Sequence, residues 1–370
     1  MGITGRGGNP ARLFGASNAL GYLACRLAES GIAVEWHRSP ALERLRPVRL
    51  GQDSITLLKD LFRRHQTPVF FLEQAPEMDR WGCPTGPQYN FVFGRLFGAP
   101  DRLADSVELG TRLDGLARKL GVEIKESAHQ VLPFGDGPGS ELDGTSWRVL
   151  DLDPDQVAHG RERLFPHPRP RLKVECVELQ WPQGRGEVSA CPAQFMRLEG
   201  CLAFCEAHPS GGFVLSLIST STYALSRGLN AIRDPKGSAP IAWRALALLN
   251  PNAVERRSTL SVGRSGFFLP GTFGLGKAFG RPSPVSNLET EESLLQAERL
   301  YERLAVVPRM GQLIAEAEDW REQEASRFFK GLKRAQFSEK MLFSERFQGF
   351  VLSASQILPL RLRHSLKSPV

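Results

Sequence analysis

The segment Gly15-Ala-Ser-Asn-Ala-Leu-Gly21 is the first in which residue type and spacing imply chemistry. The apolar residues of Arg12-Leu-Phe precede it, and Tyr22-Leu-Ala-Cys-Arg-Leu-Ala-Glu-Ser-Gly31 follows with apolar residues at helical spacing. A glycine turn between a strand and a helix leaves the first N–H groups of the helix without intrahelical partners. Together with the helix dipole, these groups attract a diphosphate. Against the dinucleotide fingerprint G-x-G-x-x-G, Gly15 keeps the first glycine, Ser17 stands at the second, and Leu20 at the third, with Gly21 one residue later. The second glycine admits phosphates close to the backbone and the third lets helix pack on strand. The acid that takes a ribose hydroxyl is also displaced, because Glu35 falls inside the second strand and His37 at its end. A βαβ unit is predicted; the motif alone leaves nucleotide binding open.

Other constellations carry less. Tyr223-Ala-Leu-Ser-Arg227, following Ser216, Ser219 and Ser221, has the outline of a Ser and Tyr-x-x-x-Lys site, in which a cation one helical turn on lowers the tyrosine pKa. Its serine spacing is wrong, and it lies some 200 residues beyond the βαβ unit. Cys201 and Cys205 sit four apart in an apolar segment with no His pair near, which favours buried thiols over zinc. His167 between two prolines is expected in a loop, and Cys83 beside Trp81-Gly82 is expected as a packed thiol. No H-x-H or H-E-x-x-H metal pattern occurs, and without G-x-S-x-G there is no nucleophile elbow.

These residues need elements to hold them. Strand, helix and strand are expected over 10–38, with Gly31 ending the helix. Further helices are predicted at 55–62, 104–120 and 241–249, with strands at 69–72, 90–93, 122–124 and 147–150. Residues 170–222 alternate short apolar runs with turn residues, as an antiparallel sheet does. A strand ending at Leu269 is expected to return to the first sheet, and apolar spacing around Met310, Leu313, Ala317 and Trp320 predicts a helical C-terminus.

Composition sets bounds. The 370 residues, 41% apolar and 24% charged, are enough for two or three domains with ordinary cores. No apolar run is long enough for a membrane span and the N-terminus lacks a signal-peptide core, so a cytoplasmic protein is expected. Six cysteines in so long a chain make no disulfide framework. The net charge of +7 is scattered, with one short basic cluster at Arg361, Arg363, His364 and Lys367; that distribution argues against nucleic acid and is compatible with an anionic ligand.

Taken in order, the opening βαβ, Leu50-Gly-Gln-Asp-Ser54 before a helix, Arg80-Trp-Gly82 followed by Asn90-Phe-Val-Phe93, and the stretch from Leu113 to Val122 resemble the tryptophan-halogenase-like flavoproteins. More broadly they resemble the flavin-dependent aromatic monooxygenases, including flavoproteins that mature tryptophylquinone cofactors. The resemblance implies an α/β protein: a three-layer, Rossmann-like FAD-binding domain from 10–155 and 255–305, an antiparallel substrate sheet from 68–100 and 165–254, and C-terminal helices over 306–370. It also implies FAD-dependent oxygenation of an aromatic or other electron-rich substrate, either a small molecule or a peptide.

The cofactor-binding positions that follow from the resemblance are Gly15, Ser17, Leu20, Gly21, Arg38 on the adenosine side, Gln52, Gly271 and Thr272. Gln52 replaces the glutamate of the family's Gly-Glu-Ser turn. Thr272, in Gly271-Thr-Phe-Gly274, is assigned the place of the aspartate of Gly-Asp-Ala-Ala, which holds the ribityl chain. Gly280-Arg-Pro-Ser-Pro-Val285 is assigned to the Pro-containing turn that follows, and the halogenase W-x-W-x-I-P motif is absent. The alternative is a non-catalytic scaffold or partner-binding protein on the same fold that has lost FAD.

Overall fold

The computed structural model describes residues 10–38, 47–68, 79–82, 88–91, 102–126, 147–151, 170–181, 194–207, 213–249, 254–263, 272–276, 286–306, 315–320, 322–324 and 326–327. Its first sheet is built on β1 (Ala11–Gly15), β2 (Val34–Arg38), β7 (Glu123–Glu126), β8 (Arg148–Asp151) and β14 (Thr272–Gly274). These five strands run parallel in the order β14-β8-β1-β2-β7.

Helix α1 (Asn18–Glu29) crosses from β1 to β2. It starts where it does because Ser17, in extended conformation, accepts the Leu20 N–H through Oγ at 3.2 Å. It ends before Gly31, whose φ of +78° suits glycine. Leu20, Leu23 and Leu27 are fully buried, each contributing about 1.5–3 kcal/mol. They share a core with Trp36 and with Leu109, Leu113 and Leu116 of α3 (Ser106–Lys119). That helix is capped by Asp105, which accepts the N–H groups of Val107 and Glu108 at 2.7 and 3.1 Å.

The helix α6 (Ser286–Val306) packs on α1. Glu298 accepts the Tyr22 hydroxyl at 2.7 Å and two bonds from the Arg26 guanidinium at 3.1 and 2.9 Å. Glu29, at the end of α1, pairs with Arg26, with Arg64 of α2 (Gln52–Arg64) and with His65. A two-stranded antiparallel sheet of β3 (Pro47–Leu50) and β6 (Arg102–Asp105) adjoins α6.

The second sheet has seven strands in the order β13-β9-β12-β11-β10-β4-β5. They are β4 (Asp79–Gly82), β5 (Gln88–Phe91), β9 (Pro170–Trp181), β10 (Gln194–Leu198), β11 (Cys201–Ala207), β12 (Phe213–Ser219) and β13 (Val254–Gly263). All pairs are antiparallel except β4 with β10. One face bears Val177, Leu179, Cys201, Ala203, Cys205, Leu215 and Leu217. These pack with Leu225, Leu229 and Ile232 of α4 (Thr222–Arg233) and with Trp243 and Leu246 of α5 (Ile241–Leu249).

The expected βαβ, the antiparallel block and the helix at 241–249 are all present. The expected helix at 104–120 begins with strand β6, because Asp105 caps at that point. The segment expected to start the return to the first sheet at 255 is β13 of the second sheet, ten residues of unbroken pairing with β9 apart from one shift near Gly263. The return is made by β14. The expected strands at 69–72 and ending at Leu269, and the segments 306–370 beyond the helical residues near Trp320, lie largely outside the described residues, as do Cys83 and His167. Among the described residues, no helix is long and apolar enough to cross a membrane.

Candidate nucleotide crevice

From β1 the chain proceeds to β2 and then β7 on one side, and β8 and β14 add on the other. The strand order therefore reverses beside β1, and a crevice at the carboxyl ends of β1 and β8 is where open parallel sheets bind ligands. Two residues meet there in register, Gly15 and Asp151.

Gly15 has φ +134°, and a Cβ at this position would strike the Asp151 carbonyl oxygen. This is the close backbone approach for which the first fingerprint glycine exists. Ser17, at the second position, is the helix cap, and it takes the Leu20 N–H for itself. Leu20 is wholly buried, with its Cδ1 2.9 Å from where a Gly15 Cβ would lie, so it is a core residue beneath the turn. Gly21 does the packing expected of the third glycine: a Cβ there would come 3.1 Å from Trp36 Cη2 and 3.2 Å from Leu113 Cβ. Trp36 in turn donates its indole N–H to the Gly15 carbonyl at 2.9 Å and ties β2 to the turn.

Arg38 ends β2 and is ion-paired to Asp114 of α3. A carboxylate thus stands beside the strand end after all, supplied by the helix. Gln52 is exposed in the first turn of α2, and its amide donates along its own helix to Thr56 Oγ1 at 3.4 Å. Gly271 lies outside the described residues.

Thr272 does not reach the crevice. It pairs with Arg148, which pairs with Arg12, three residues before Gly15 along β1. At about 3.3 Å per residue that is roughly 10 Å below the carboxyl edge. Register puts Leu275 and Gly276 at that edge, with the Leu275 N–H donating to the Leu150 carbonyl at 2.8 Å. The chain then continues Gly276-Lys-Ala-Phe. By register, Gly276 and not Thr272 stands at the carboxyl edge, where the Gly-Asp-Ala-Ala turn was expected. The correction is one of strand register, which a single sequence does not fix.

Gly276 has φ +44°, and a Cβ on it would come 2.8 Å from Ser293 Oγ and 3.1 Å from Asp151 Oδ1. Its N–H donates to Gln296 Oε1 at 2.6 Å, and Gln296 Nε2 donates to Glu324 Oε2 at 3.0 Å. Trp320, fully buried, donates to the Gly274 carbonyl at 3.0 Å. Asp151, 3% exposed, therefore touches both turns, with its carbonyl at Gly15 and its carboxylate at Gly276. Sequence reading missed Asp151, Asp114 and Gly276. An acid closing the apolar pair Val149-Leu150 was the available signal for Asp151.

Beside the crevice, His37 stacks on Phe14 with ring centroids 4.7 Å apart. Burial lowers its pKa below the ordinary histidine value, outweighing the hydrogen bond to Glu35. Glu35 is pushed up by burial but held below the usual carboxylate range overall by Lys125 and Arg12. Tyr223, proposed from its spacing to Arg227, is 73% exposed on α4, and Arg227 pairs with Glu199, so this pair belongs to the surface of the second sheet.

The residues present fit a diphosphate. The cradle has a glycine turn at Gly15, a small hydroxyl at Ser17 and a twelve-residue helix pointing its N-terminus at the crevice. The Arg38–Asp114 ion pair stands at the end of β2 and Gly276 at the end of β14.

No family model matches the chain, and no curated protein matches it. Solved structures do. Klebsiella pneumoniae HpxO complexed with FAD and uric acid matches with TM-score 0.63 and 14% identity over 94% of this chain and 92% of that one. QhpG, a peptidyl tryptophan dihydroxylase essential for tryptophylquinone cofactor biogenesis, gives TM-score 0.57 and 16% identity over 87% and 73%. The flavoprotein/dehydrogenase from Cytophaga hutchinsonii gives 0.60 and 12% over 94% and 87%. At such identities the likeness is one of fold. Strand order, crevice and neighbours together lead to one conclusion: the chain has the fold of the flavin-dependent monooxygenases and halogenases.

Proposed function

We propose that the protein is an FAD-dependent oxidoreductase of the monooxygenase type that acts on an aromatic or other electron-rich substrate. The observation that carries the reading is the crevice at the strand-order reversal, where Gly15, two residues before the α1 cap Ser17, and Gly276 both close on Asp151. HpxO, complexed with FAD and uric acid, and QhpG, a peptidyl tryptophan dihydroxylase, support an aromatic or other electron-rich substrate. In this reading α1 holds the diphosphate, the Arg38–Asp114 pair lies on the adenosine side, and the β14 end at Gly276 faces the ribityl chain. Bound flavin would supply the redox chemistry, activating oxygen for transfer to the substrate. The protein itself would contribute binding and orientation.

In sequence Lys277 follows Gly276, as the aspartate follows glycine in Gly-Asp-Ala-Ala; a lysine there would offer a ribityl hydroxyl a donor in place of a charged acceptor and hold FAD more weakly than the acid. Lys277→Asp is expected to raise the flavin-to-protein absorbance ratio after reconstitution with excess FAD. No flavin in either protein would favour the second reading, a non-catalytic scaffold. One observation already points that way: the Ser17 hydroxyl accepts an N–H at the helix end where a diphosphate would bind.

A further inference from the structure

The end of β14 is held from outside the parallel sheet. Gly276 donates its N–H to Gln296 Oε1 at 2.6 Å, Gln296 Nε2 donates to Glu324 Oε2 at 3.0 Å, and Trp320 donates its indole N–H to the Gly274 carbonyl at 3.0 Å. Gln296 belongs to α6, whereas Trp320 and Glu324 lie in the helical residues 315–320 and 322–324. The direction of this relay is forced. A backbone N–H only donates and a carboxylate only accepts, so the amide between them turns its oxygen to Gly276 and its nitrogen to Glu324. All three side chains are buried, where an unmet donor or acceptor is costly.

The contact around the relay is ionic. Gln296, Arg299 and Arg303 stand at helical spacing along one face of α6. Arg299 pairs with Glu324 at 3.0 Å, Arg327 closes on the other oxygen of that carboxylate, and Arg303 pairs with Glu316 and Asp319 at 3.3 and 2.9 Å. The Arg303 pairs are partly exposed, and such pairs add little each. Trp320 and the relay are therefore what fixes this segment on β14. Gly276 in turn lies against the Asp151 carboxylate, and Asp151 is the register partner of Gly15. Two hydrogen bonds and one contact thus connect Glu324 to the crevice.

We propose that Gln296 and Glu324 are positioning residues of the nucleotide crevice: their relay fixes the Gly276 end of β14, so that retention of FAD and docking of the segment carrying Trp320 and Glu324 are coupled. The inference rests on the oxidoreductase reading for FAD being the ligand, but not for the relay itself. Coupling between two sites is reciprocal, so bound FAD tightens the docking by the same factor by which loss of the docking weakens FAD.

The test uses the full-length protein, with amide hydrogen exchange at Gly276, Trp320 and Glu324 and with titration calorimetry of FAD. In the wild type, saturating FAD is expected to slow exchange at Trp320 and Glu324 by about fivefold or more. Gln296→Glu sets one carboxylate against another and is expected to speed Gly276 exchange and to weaken FAD, each by about tenfold or more. Adding Glu324→Gln to that variant restores a donor and an acceptor in reversed order. Both quantities are then expected to return to within about threefold of the wild type, a rescue that general loosening of the fold does not give. Wild-type exchange and affinity in Gln296→Glu, no rescue in the double variant, or no effect of bound FAD on Trp320 and Glu324 overturns the proposal. The wild-type comparison decides even if a variant fails to fold. No FAD bound by the wild type counts against the oxidoreductase reading, and the relay is then judged by Gly276 exchange alone; FAD bound alike by all three proteins counts against this proposal alone.

Discussion

Replacing Gly15 by alanine is the most severe single-methyl change the crevice offers. At φ +134° an L-residue sits in a region essentially reserved for glycine, at a cost of about 1–3 kcal/mol. The new Cβ also meets a backbone atom, the Asp151 carbonyl oxygen, so no rotamer change relieves it and β1 must part from β8. Weakening one or two ladder hydrogen bonds adds about 1 kcal/mol each. The sum is about 2–5 kcal/mol. Gly121→Ala is the matched control, because its φ is +84° and a Cβ there meets nothing within 4 Å, leaving only the conformational cost of about 1–2 kcal/mol. Urea unfolding followed by tryptophan fluorescence should place Gly15→Ala about 2 kcal/mol below Gly121→Ala. Equal losses in the two variants would refute the close approach of β1 to β8 that the crevice depends on.

Three further outcomes are expected. Glu29 is pushed up by burial but held below the ordinary carboxylate value overall by Arg64 and Arg26, so its stabilisation is complete above about pH 4.5 and lost as pH falls. Glu29→Gln should therefore cost about 1–3 kcal/mol at pH 7 and flatten the acid limb of the thermal stability curve; a variant with the wild-type acid limb would contradict this. Burial pushes the Cys25 thiol up to about 12, so at pH 8 it should resist a thiol-reactive dye until the protein unfolds, and rapid native-state labelling at that position would contradict it. Trp320→Phe removes the bond to the Gly274 carbonyl and should cost about 1–3 kcal/mol in unfolding experiments, whereas no change would detach this helix from β14.

What the sequence disclosed and what it hid divide along a physical line. Elements defined by local pattern were legible: Ser17 and Gly31 bracket α1, and the apolar spacing of 241–249 is a helix. The cradle was legible too, since a strand, a glycine and a helix N-terminus are local. Relations set by register were not. Thr272 and Gly276 are four residues apart, and only pairing with β8 shows which of them reaches the crevice. Asp151 acquires meaning from Gly15 and Gly276, over a hundred residues away on either side. Leu20 looked like a damaged glycine, but the helix is phased so that Gly21 meets Trp36 and Leu113, and Leu20 is free to be core.

The central claim is that the Ser17 end of α1 receives the diphosphate of FAD, and Ser17→Asp tests it most directly. Aspartate caps a helix as well as serine does, so the fold is kept while a negative charge is placed where the diphosphate would lie. Wild type and variant are reconstituted with excess FAD, desalted, and compared by the ratio of flavin to protein absorbance, with circular dichroism confirming equal helix content. The account predicts retained flavin in the wild type and at least a tenfold lower ratio in Ser17→Asp. Equal flavin content in the two proteins, or none in the wild type, would contradict it.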